Sequence, residues 1–62
     1  MDYLTAEKAM RDGKLVIVQD GSQVLMGKLV GQSGHFFTLE TASGRRAPDL
    51  IAEKISATNR NY

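Results

Sequence analysis

The stretch Lys14–Thr41, KLVIVQDGSQVLMGKLVGQSGHFFTLET, decides the fold. It opens on four consecutive aliphatics, Leu15 to Val18, and three of them are β-branched. Such a run reads as a strand covered on both faces, spanning 14–19. Asp20-Gly21 follows, and both residues tolerate the positive φ that a tight hairpin turn demands. A second strand is expected over 22–30, where Val24, Met26 and Val30 alternate against Leu25 and Leu29. Gly27 interrupts it, and a glycine inside a strand marks a bulge or a sharp bend. Gly31 to Gly34 reads as the next turn. His35 to Thr41 is a third strand, 35–41, with Phe37 and Leu39 facing inward and Phe36, Thr38 and Glu40 facing outward. Ala42-Ser43-Gly44 turns the chain again.

Upstream, a short helix is predicted over 5–12. Thr5 is placed to cap it, Leu4 and Ala9 occupy the two positions of a hydrophobic staple, and Gly13 sits where a left-handed cap closes a helix. Its apolar stripe, Leu4, Ala6, Ala9 and Met10, needs a larger surface to lie on. Downstream, 47–56 has two readings. Pro48 and Asp49 suit a helix start, with Ala47, Leu50, Ile51 and Ile55 near one face. Alternatively Pro48 sits on an edge, and short strands around Leu50-Ile51 and Lys54–Ser56 close a barrel. Closing strands are preferred, because three strands alone leave two open edges. Residues 59–62 read as a loose tail.

The expected fold is therefore mainly β, one domain over 1–62: a short N-terminal α-helix followed by a strongly bent small five-stranded barrel. The alternative is α-β-β-β-α with a C-terminal helix. A chain of 62 residues buries only about 60% of the surface its unfolded state exposes, so its own core is thin. Cysteine is absent, which removes disulfides and thiolate metal sites together, and a single histidine makes no metal cluster. No cofactor is expected. Association of copies is the most economical remaining support.

A net charge of +1 lacks the strong basic balance of a dedicated nucleic-acid binder, so any such binding rests on where the charges lie. The longest apolar run, Leu15 to Val18, falls far short of a membrane span. Asp2 and Glu7 stand where a secretory leader carries basic residues followed by an apolar run, so the expected home is cytoplasmic, with no membrane partner.

The order of elements, with Asp20 and Gly21 at the first turn, then Gly27, Leu29 and Gly31, then Phe36 to Leu39, resembles the Sm-like family over about half the chain. That resemblance implies a closed ring of subunits joined edge to edge, binding single-stranded RNA on loops around the pore. Gln32 and Ser33 stand where the family carries an acidic residue, and its second motif is reduced to Lys54-Ile55-Ser56. The family's base-binding residues are accordingly not carried over.

From the residues themselves, Arg45 and Arg46 after the glycine turn are candidates for phosphate contact, extended by Lys14, Lys28 and Lys54. His35 and Phe36, beside a turn, are candidates for stacking on a base. Each has a plainer reading as solvated surface or ordinary loop. Enzyme chemistry is not expected. Ser33 and His35 lack an orienting acid, no carboxylate pair suggests acid–base work, and Gly31-Gln32-Ser33-Gly34 has no phosphate-loop lysine after it. The leading expectation is a homo-oligomeric Sm-like module binding single-stranded RNA or another nucleic acid through phosphate contacts and stacking. The rival is a non-enzymatic protein-interaction or regulatory module of viral or mobile-element origin.

Overall fold

The structure is a computed structural model, and it describes residues 1–58. One N-terminal helix, α1 (Tyr3–Asp12), precedes five strands: β1 (Leu15–Asp20), β2 (Gln23–Ser33), β3 (Phe36–Thr41), β4 (Arg46–Ile51) and β5 (Ile55–Ala57). A single 3-10 turn, η1 (Ala52–Lys54), joins the last two. The expected tail, 59–62, lies outside the described residues.

The strands form one antiparallel sheet in the order β4-β3-β2-β1-β5. The long β2 holds its two halves together. Gln23–Lys28 pair with β1 and Gly27–Ser33 pair with β3, so only Gly27 and Lys28 lie in both ladders. β4 and β5 end opposite edges of the sheet yet are separated by only three residues, so the sheet curls until its edges meet at that corner. Among the described residues they share no ladder, and the sheet is open along that seam.

Alternation of side chains gives the core. Val16 and Val18, Leu29, Phe37 and Leu39, Leu50 and Ile55 all point into the curl and are buried, while α1 lays its small Ala6 and Ala9 across it. Small residues at that contact let the helix backbone approach closely. Burying Phe37 completely contributes on the order of 2 to 3 kcal/mol, a large share for so small a domain.

Four local expectations are corrected. The helix is capped by Asp2, whose Oδ1 accepts from the Thr5 amide at 2.7 Å, so Thr5 lies inside the helix and Leu4 is 73% exposed. A carboxylate serves this position well because it also opposes the positive end of the helix dipole. The first hairpin loop is Gly21-Ser22, one residue later than Asp20-Gly21, since Asp20 pairs with Gln23. Gly21 has φ 62 and Ser22 does not share the left-handed region, the pattern of a turn with glycine at its first central position. β2 runs on to Ser33, and Gly34-His35 repeats the same turn one hairpin later, with Gly34 at φ 59. Finally, the register slip in β2 falls at Val30, between Leu29 and Gly31, while Gly27 serves a close approach of backbones.

The C-terminal helix does not form. Residues 46–57 are strand, 3-10 turn, strand. Pro48 lies on an edge strand inside a bulge, where Phe37 pairs with Leu50 but Leu39 pairs with Ala47. A missing N–H costs nothing on an outer edge. Asp49 completes the bulge at φ 61, the one non-glycine among the described residues in the left-handed region.

Candidate nucleic-acid interface

The sequence-predicted residues fall into two groups, at opposite ends of β3. Glu40 pairs with Arg46 at one end and Phe36 pairs with Ile51 at the other. Four residue steps of strand separate them, about 13 Å. Lys28 is opposite Glu40, so Lys28, Glu40 and Arg46 make a row across three strands on the outer face. Arg46 donates from Nε to Glu40 Oε2 at 3.1 Å, with both side chains solvent-exposed, so half of the expected arginine pair is already engaged. Arg45 stays on the turn, its amide held by Thr41 Oγ1 at 3.2 Å.

His35 and Phe36 lie at the other end. The Phe36–Ile51 pairing sets the β2–β3 turn beside the end of β4, and η1 begins at the next residue, Ala52. The start of α1 completes the ring of elements. Together they frame a hollow of about 380 Å³ lined by Met1, Asp2, Tyr3, His35, Ile51 and Glu53, with Ala52 at its base. Lys54 follows Glu53 on the same turn. Phe36, half-exposed, points to the outer face beside this rim.

Tyr3 organises the hollow. Its ring meets His35 edge-on, with centroids 5.3 Å apart, and tilts against the buried Phe37 at 5.7 Å. Its hydroxyl donates to the Gly34 carbonyl at 3.1 Å and accepts from the Gln32 amide, which also donates to Glu7 Oε2 at 3.0 Å. Removal from water, with the Glu7 carboxylate close by, holds the Tyr3 hydroxyl above its ordinary pKa. The turn that carries His35 is thus tied to the helix through a phenol.

No protein-family model matches the chain, and no curated protein or solved structure matches it either. The site must be read from its own chemistry.

Sequence reasoning missed Tyr3, Gln32 and Glu53. Their roles depend on contacts 25 to 31 residues apart in the chain or on the position of η1 beside a distant turn, and no local motif signals either. The lining side chains are aromatic and carboxylate rather than basic, and the Met1 ammonium is taken up by the Ala52 carbonyl at 3.1 Å. A phosphate is poorly served inside the hollow. A base edge is served better: Glu53 is an acceptor for an exocyclic amino group, and His35 and Phe36 offer ring faces. Asp2 is committed to its helix cap. A larger hollow, about 610 Å³, lies between α1 and the β1–β5 side. It is lined by Lys8, Asp12 and Lys14 among others, and among the described residues it carries no aromatic side chain.

Proposed function

We propose that this chain is a non-enzymatic small-barrel module of Sm-like kind that binds single-stranded nucleic acid, seating one base at the His35–Tyr3–Glu53 hollow. One observation carries the reading. The β2–β3 turn bearing His35 and Phe36 and the η1 turn bearing Glu53 and Lys54 meet around a hollow whose volume falls in the roughly 300–1,000 Å³ range of small-ligand sites. Stacking on His35 and Phe36 supplies affinity that tolerates any base, because every base has a π-face. Lys54, outside the hollow, meets the phosphate. Arg45, on the turn beyond the far end of β3, is placed to contact the strand further on.

Fluorescence anisotropy with labelled single-stranded RNA and DNA oligonucleotides, at low and at high salt, tests this. Binding that weakens as salt rises is expected. Phe36→Ala and His35→Ala should each weaken it about 5- to 100-fold, the range of one lost stacking contact. Absence of binding at low salt overturns the reading.

A further inference from the structure

Most of the large exposed apolar side chains lie on one surface. Leu15, Val24, Met26 and Val30 all project from the outer face of β1 and β2, between 43% and 61% exposed. Leu15, Met26 and Val30, with Lys28, Glu40 and Ala42, line a groove of about 460 Å³ there. The register fixes the groove's centre. Leu15 is opposite Lys28, Lys28 opposite Glu40, and Glu40 opposite Arg46, so one row crosses four strands at spacings of about 4.8 Å.

We propose that this face is an isologous dimer interface, occupied by the same face of a second copy of the chain. The charges choose the occupant. Glu40 already accepts from Arg46, while Lys28 makes no ion pair among the described residues. An acidic partner complements Lys28 but meets the Glu40 carboxylate beside it; a basic partner meets Lys28 and Arg46. A second copy gives Lys28 a carboxylate and Glu40 a second cation. A two-fold axis parallel to the strands, between β2 and β3, sets Lys28 of each copy over Glu40 of the other. The same operation brings Met26 over Ala42 and Leu15 over the aliphatic stem of Arg46.

The edges of the sheet offer less. β5 has three residues, and β4 carries Pro48 and the Asp49 bulge, both devices that blunt strand addition. Nucleic-acid binding is not required for the pairing, since the hollow lies at the far end of β3 from Glu40 and Arg46.

Sedimentation equilibrium on the purified chain, with nucleic acid removed, tests the proposal. The wild type is expected at twice the mass of the 6.8 kDa chain. Lys28→Glu and Glu40→Lys should each weaken association roughly a hundredfold by setting like charges together. Their far-UV circular dichroism should be unchanged, because both positions are on the outer face. An equimolar mixture of the two variants should recover the dimer, since each then supplies the charge the other lacks. A monomeric wild type overturns the proposal and leaves the face to a different protein. So does an assembly whose mass ignores both substitutions, or a mixture that stays monomeric. Oligonucleotide binding by a monomer would leave the nucleic-acid reading standing alone.

Discussion

A Cβ at Gly27 would lie 2.2 Å from the Glu40 carbonyl oxygen and 2.9 Å from the Thr41 Cα. Both are backbone atoms of β3 and cannot rotate away. This contact sits where β2 leaves the β1 ladder for the β3 ladder, so the close approach of β2 and β3 there depends on a residue without a side chain. Gly27→Ala is expected to cost about 3 kcal/mol, at the upper end for overpacking. A chain of this length has about 3 to 9 kcal/mol of total stability, so the variant should keep at most about 6 kcal/mol and unfold at a clearly lower urea concentration. Gly31→Ala is the control. Its Cβ would meet Thr38 at an ordinary 3.7 Å, and urea titration should find it within about 0.5 kcal/mol of wild type.

Asp49 occupies the left-handed region at φ 61, on the bulge of an edge strand. Aspartate tolerates that conformation but still bears a cost that glycine does not, about 1 kcal/mol. Asp49→Gly should therefore leave stability unchanged or raise it slightly. Asp49→Val should lower it by about 1 to 2 kcal/mol, because branching at Cβ worsens the same clash. Thermal melts of the two variants check the sign, and equal effects would mean that the bulge relaxes in solution.

The sequence made the strand core legible wherever alternation was strict. Phe37 and Leu39 face inward as their spacing demands, whereas the unbroken aliphatic run, expected to be covered on both faces, buries Val16 and Val18 and leaves Leu15 49% exposed. Turn positions were legible only to within a residue or so. Asp20-Gly21 and Gly21-Ser22 are both sound hairpin loops, and the choice falls to cross-strand pairing, which puts Asp20 opposite Gln23. The segment around Pro48 was ambiguous for a different reason. Its residues suit a helix start taken alone, but the outer edge of β3 needs a partner, and tertiary pairing overrides local preference there. The hollow was half legible. His35 and Phe36 were visible as turn aromatics, whereas Tyr3 reads as part of a helix stripe and reaches the turn only because α1 lies across the curl.

The Asp2 cap makes a prediction about pH. Hydrogen bonding by Thr5 lowers the Asp2 pKa below its ordinary 3.8. The charged cap is therefore favoured in the folded chain. Its contribution is present above that ordinary value and is lost as pH falls through the lower, folded value. Asp2→Ala should lower the melting temperature at neutral pH, whereas Asp2→Asn, which keeps an acceptor oxygen, should lower it less. In strong acid the wild type and Asp2→Asn should converge. Melts by circular dichroism across that range decide it, and a gap that persists in acid would mean the carboxylate charge plays no part.

Tyr3 has the opposite sign. Its hydroxyl pKa is raised, so the neutral phenol is favoured in the folded chain, and that preference is fully present below the ordinary value of 10.0. It fades as pH rises through the higher, folded value. Ionisation would remove the donor that holds the Gly34 carbonyl and set a second negative charge beside Glu7. The β2–β3 turn should then loosen from α1, and His35 with it. Tyr3→Phe reproduces the loss of the hydroxyl at neutral pH while keeping the ring against His35 and Phe37. Under the proposed function, oligonucleotide binding should fall about threefold to tenfold in Tyr3→Phe, less than on deleting a stacking ring. Subtracting the alkaline absorbance titration of Tyr3→Phe from that of the wild type isolates the Tyr3 phenolate from that of Tyr62. A midpoint at or below 10.0 would show that the Tyr3 hydroxyl is not removed from water beside Glu7 in solution.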